Sequence, residues 1–138
     1  MELARVLLVD DDPASRLTLQ TVLQAGGYRV ESAASAAEAV GKMEEQEYEL
    51  VLSDLRMESP EAGLKVLAHA RLMEYKPATA LITTYQSAWE EEEDSPRGDS
   101  GPVLIEPEEL PELLTKVAEL IGERASRRFE RRQRPSRN

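Results

Sequence analysis

There is no cysteine in the 138 residues, and only one histidine, His69. No disulfide framework or thiolate metal site can form, and no histidine cluster can hold a metal or run a proton relay. Long hydrophobic runs are also missing. No apolar stretch approaches the ~20 residues that a spanning helix needs, and MELARVLLVDDD passes from a short apolar segment straight into three acids, unlike a signal peptide. A soluble, cytoplasmic protein with no membrane partner is expected. The length suits one domain and is too short for two ordinary ones. Positive charge is scarce except at one end: of 17 Lys and Arg, seven are Arg within residues 123–138, against two Glu, while the rest of the chain holds 25 of the 27 acids. An acidic body repels polyanions, so any attraction to nucleic acid would come from that tail.

What is present is an alternation of short Val, Leu and Ile runs with longer segments of helical periodicity. RVLLVD (5–10) reads as a buried strand. Asp12 and Pro13 open a helix whose apolar face is Leu17, Leu19, Val22 and Leu23, stopped at Gly26-Gly27. YRVESA (28–33) is a half-exposed strand. Ser35 caps a helix with Ala36, Ala39, Val40 and Met43 at helical spacing, and ELVLSD (49–54) is a third strand. Leu64, Leu67, Ala68 and Leu72 suit one face of a helix ended by Lys76-Pro77. ATALITT (78–84) makes a fourth strand, and a short or irregular fourth helix near 87–94 gives way to a loop or disorder. PVLIEP supplies a fifth strand, and Leu110, Leu113, Leu114, Val117, Leu120 and Ile121 face a last helix. Strands that alternate with helices imply an α/β fold, a doubly wound five-stranded parallel sheet with helices on both faces.

In such sheets the working site lies beyond the carboxyl ends of the strands. Those ends carry Asp10, Asp11 and Asp12, then Asp54, then Thr83 and Thr84, then Glu106. Clustered carboxylates repel one another and must protonate, spread out or bind a cation. Oxygen-only ligands suit Mg²⁺, which would draw a phosphoryl group toward a neighbouring carboxylate nucleophile. Asp12 alone reads as a helix cap, His69 as a structural or surface residue, and the 90–94 acid run as a solvated segment.

VLLVDDDPASR, VLSDLRM, LITTYQS and the Pro after the fifth strand, in that order, resemble the receiver domain of two-component response regulators over about residues 3–122. The resemblance implies a flavodoxin-like receiver fold for residues 1–122, with 123–138 as an Arg-rich tail or helix extension. It implies that Asp54 is the phosphoacceptor, that Asp11, Asp54 and the Arg56 backbone carbonyl ligate Mg²⁺, and that Asp10 assists indirectly. Thr83 and Tyr85 match the switch residues. A histidine kinase or phosphotransfer protein would donate the phosphoryl group in a phosphorelay, the domain serving as substrate and partial catalyst and not as an enzyme with its own turnover.

Three features depart from the family's pattern. Glu106-Pro107 stands where the family has Lys-Pro, which replaces a phosphate-binding cation by an anion. Lys42, Lys65 and Lys116 fall in expected helices and Lys76 at the far end of the fourth strand, so none of them takes over. MESPEAG is one residue longer than the usual turn after the acceptor, and the fourth helix, part of the family's output face, is acidic and broken by Pro96, Gly98 and Gly101. A phosphorylation-independent pseudo-receiver that acts as a protein-interaction module is therefore the alternative reading. A more remote one is a haloacid-dehalogenase-type phosphatase with Asp10 as nucleophile, suggested by Asp10-x-Asp12. Homodimerisation through the fourth-helix face is open, and the downstream partner is not legible. The tail, with only Phe129 among its arginines, reads as a linker or helix extension before a nucleic-acid arm.

Overall fold

The computed structural model of the chain describes residues 4–54, 61–82, 104–105 and 110–133. In chain order these form β1 (Arg5–Val9), α1 (Pro13–Ala25), β2 (Arg29–Ala33), α2 (Ala36–Glu45), β3 (Leu50–Asp54), α3 (Ala62–Leu72), β4 (Ala78–Ile82), β5 (Leu104–Ile105) and α4 (Leu110–Gln133). All strand pairs are parallel, in the order β2-β1-β3-β4-β5. This is the doubly wound sheet expected from the alternation of elements. The expected helix near 87–94 and the stretch after it lie outside the described residues.

The apolar strands are explained by what covers them. Val6, Leu8, Leu50 and Leu52 face one way, into a core closed by Leu19 and Leu23 of α1 and by Leu113, Val117 and Leu120 of α4. Leu7, Val9 and Val51 face the other way, onto Ala39 and Met43 of α2 and Val66, Leu67 and Ala70 of α3. A strand buried on both faces cannot alternate apolar with polar residues, so β1 and β3 read as continuous hydrophobic runs. β2, at the sheet edge, keeps its half-exposed pattern.

Two expected helix faces need correction. Leu17 is 65% exposed and the face of α1 is set by Leu19 and Leu23; in α3, Leu64 and Leu72 are exposed and the buried stripe is Ala62, Gly63, Val66, Leu67 and Ala70. The stripe follows the 3.6-residue period through small residues, which let α3 approach the sheet closely, and the two leucines lie off it.

Local chemistry fixes the element ends. Asp12 caps α1, its Oδ2 accepting the Ser15 N–H at 2.9 Å, with Pro13 in the first turn. Ser35 caps α2 by accepting the Glu38 N–H at 3.1 Å, while Glu38 Oε1 accepts the Ala34 N–H at 2.9 Å. Gly27 takes φ 101 in the turn into β2, a conformation that suits glycine. α4 is continuous from Leu110 to Gln133. Arg124 ties it to the loop before β4, donating from Nε to the Lys76 carbonyl at 2.9 Å and from Nη2 to the Tyr75 carbonyl at 2.7 Å. No helix among the described residues is long and apolar enough to cross a membrane.

Candidate metal centre

From β1 the chain turns to β2 on one side and later to β3 on the other, so the crevice between the carboxyl ends of β1 and β3 is the topological switch point of the sheet. The acids expected at strand ends converge there. Asp10 extends the β1–β2 ladder by one residue, its N–H donating to the Ala33 carbonyl at 3.0 Å. Val9 pairs with Ser53 of β3, which brings Asp10 level with Asp54, and Asp54 in turn pairs with Ile82 of β4. The carboxylates of Asp10, Asp11 and Asp54 each offer an oxygen within 4.8 Å of the others.

The three differ in setting. Asp10 is 2% exposed, Asp54 is half-buried and Asp11 is exposed. Burial pushes the Asp10 carboxyl above its ordinary value of 3.8, and the charges of Asp11 and Asp12 push the same way; hydrogen bonds from the Asp12 backbone and from Ser15 oppose them. The first of these is the Asp12 N–H, 3.0 Å from Asp10 Oδ1. Two like charges at such separations repel by roughly 3 kcal/mol at an effective dielectric near 20, and by less where a partner is exposed. A cation bound among them would remove that cost. The donor set is all oxygen, with one buried, one half-buried and one exposed carboxylate, which fits a hard divalent ion that retains water, such as Mg²⁺.

A further residue shapes the site and is not evident from motif spacing. Arg16, in the first turns of α1, donates from Nη1 to the Asp10 carbonyl at 2.7 Å and so holds the acidic turn from beneath. The available signal is its position four residues after the cap Asp12, on the helix turn that follows the acids. Thr83, Tyr85, Arg56 and Glu106 lie outside the described residues. The residues before Thr83 and Glu106, Ile82 and Ile105, pair with each other, and Ile82 pairs with Asp54. His69 is away from the cluster, with Nε2 3.2 Å from Glu44 Oε2 between α3 and α2. Lys42 pairs with Glu31 at 3.8 Å, Lys116 with Glu119 at 3.8 Å, and Lys76 Nζ donates to the Arg71 carbonyl at 2.7 Å.

Comparison with known proteins gives a consistent result. Residues 6–97 match the response regulator receiver domain family. The alginate biosynthesis transcriptional regulatory protein AlgB of Pseudomonas syringae is 34% identical over 103 residues, which is 75% of this chain but only 22% of that protein, so the chain spans about a fifth of this curated relative. Among solved structures, a response regulator receiver protein from Sinorhizobium medicae superposes with a TM-score of 0.75 at 25% identity, covering 89% of this chain and 98% of the other. The response regulator TrrA of Thermotoga maritima, solved in complex with Mg²⁺ and BeF, gives 0.69 at 28% identity, with 86% and 99% covered.

Proposed function

This chain belongs to the response regulator receiver family, and from that premise we propose that Asp54 is its phosphoacceptor, working with Mg²⁺ held by Asp11 and Asp54. The single observation that carries this reading is the convergence of Asp10, Asp11 and Asp54 within 4.8 Å at the switch point of the sheet. A solved relative that holds Mg²⁺ and BeF supports it. Membership of this family takes the place of the haloacid-dehalogenase reading with Asp10 as nucleophile.

In the proposed step an Asp54 carboxylate oxygen attacks the phosphorus of a phosphohistidine on a histidine kinase or phosphotransfer protein. The O–P bond forms, the P–N bond breaks, and its electron pair returns to the imidazole, which takes up a proton. Bound Mg²⁺ supplies positive charge against the phosphoryl oxygens and the carboxylates. Asp10, held by the Asp12 N–H and through its carbonyl by Arg16, fixes the acidic turn and adds negative charge to the cluster that would hold the cation. The Arg56 carbonyl completes the protein ligands in this reading, Thr83 contacts the phosphoryl group, and Tyr85 reports it. Asp54 is then a substrate that lowers its own barrier, and the acyl phosphate biases a two-state equilibrium.

One feature favours a second reading. In the sequence Glu106-Pro107 stands where the family has Lys-Pro, and an anion in place of that cation suits a domain that binds its partner regardless of phosphorylation. Intact-mass spectrometry after incubation with Mg²⁺ and acetyl phosphate separates the two. A phosphoryl adduct in the wild type that is absent from Asp54→Ala is the expected result; no adduct in excess donor and Mg²⁺ selects the second reading.

A further inference from the structure

At the amino-terminal edge of the sheet, opposite the acid cluster, the ends of α2 and α3 border an open groove of about 520 Å³. Its lining includes four exposed glutamates, Glu44, Glu45, Glu47 and Glu74, and, among the described residues, no lysine or arginine. It is also apolar in part, with Leu72 75% exposed at its rim beside Met73 and Tyr75. Such a surface accepts long cationic side chains, whose aliphatic stems cover apolar area while their heads meet carboxylates.

The chain carries the complementary segment. α4 passes this same edge at Arg124, which is bound to the carbonyl of Tyr75, a lining residue of the groove. Beyond that anchor the helix continues to Gln133, roughly 14 Å further at 1.5 Å per residue. The sequence there, ASRRFERRQR, has five arginines between positions 127 and 134, one glutamate and little apolar surface. A helix polar nearly all round has no core of its own to join. α4 packs on the α1 face of the sheet, whereas the groove is bordered by α2 and α3, which pack on the other.

We propose that a second copy of this chain docks the arginine-rich end of α4 in this groove, opposing the arginines of residues 127–134 to Glu45, Glu47 and Glu74. The contact is reciprocal, each copy giving a helix end and a groove, which closes a two-fold dimer. Formation of the dimer involves neither Asp54 nor Mg²⁺, so it stands apart from the phosphoacceptor reading.

Sedimentation equilibrium of the full chain tests it. The wild type is expected to dimerise, with affinity falling by about tenfold or more between ~50 mM and ~500 mM salt, as opposed charges are screened. A groove variant, Glu45→Lys with Glu47→Lys and Glu74→Lys, and a helix variant, Arg127→Glu with Arg131→Glu and Arg132→Glu, are each expected to be monomeric with wild-type circular dichroism. An equimolar mixture is expected to recover the dimer, because one of its two contacts is the wild-type pair and the other is complementary with both signs reversed. Glu44 is left in place for His69. A monomeric wild type at both salts, a groove variant that dimerises normally, or a mixture that stays monomeric would overturn the proposal. A monomeric wild type that instead binds duplex DNA at low salt would overturn it in favour of a polyanion. The wild-type salt series stands even if a variant fails to fold.

Discussion

Asp10 sits 2% exposed with Asp11 and Asp12 beside it, so its ionised form meets both desolvation and two like charges. Asparagine would keep an Oδ1 acceptor for the Asp12 N–H while removing the charge. Asp10→Asn is therefore expected to raise the melting temperature at neutral pH without divalent cations. Added Mg²⁺ should raise the wild type more than the variant, since a ligand bound only by the folded state stabilises it by mass action; thermal melts with and without MgCl₂ check both. A second residue governs the alkaline limit. Burial and the Glu47 charge push the Tyr75 hydroxyl up to about 12, against the opposing charge of Arg124, and burial beside Glu31 pushes Tyr48 up as well. A raised native value means that the folded state holds the proton longer. That stabilisation is complete below the unfolded value of 10.0 and is lost as pH rises through the native one. Unfolding free energy is thus expected to fall above pH ~10, with phenolate absorbance appearing together with loss of helix; Tyr75→Phe should move that midpoint upward. At this scale the sequence shows Asp10, Asp11 and Asp54 plainly, because each stands where an apolar run ends. Arg16 was not legible, because its place four residues after the cap Asp12 does not tell that its long side chain reaches back to the Asp10 carbonyl.

Elements were legible wherever period and punctuation agreed. β1 and β3 announce themselves as unbroken apolar runs that end in acids, and α1 and α2 by a capping Asp12 or Ser35. Helix faces were read less well, for a physical reason: burial follows the 3.6-residue stripe, and Ala62, Gly63 and Ala70 fill it in α3 while Leu64 and Leu72 do not. Two expectations follow from this. Leu23→Ala, at 0% exposure, is expected to cost about 2–5 kcal/mol in urea unfolding, whereas Leu17→Ala, at 65%, should stay within about 0.5 kcal/mol. Ser35→Ala removes the acceptor for the Glu38 N–H and is expected to cost about 1 kcal/mol, with phosphoryl adduct formation unchanged.

The whole molecule joins two opposite chemistries at the two edges of one sheet. At the carboxyl edge the winding of β1 and β3 gathers carboxylates into a place that asks for a cation; at the amino edge α4 leaves the acidic body carrying five of the chain's 13 arginines. The net charge of −10 averages over this division and conceals it. The parallel sheet and the gathering of Asp10, Asp11 and Asp54 at its carboxyl edge were readable in outline from the alternation of elements. The groove between α2 and α3 was not, since it exists only where two helix ends distant in sequence are brought side by side. The central claim concerns which carboxylate reacts, and it is tested most directly by locating the bond. An acyl phosphate on an aspartate is reduced by borohydride to homoserine, so chain treated with Mg²⁺ and acetyl phosphate, reduced and digested, can be read by peptide mass spectrometry. Homoserine at position 54, dependent on Mg²⁺ and absent from Asp54→Ala, is the expected result. Conversion at Asp10 or Asp11 instead, or at no aspartate in excess donor, would contradict the account.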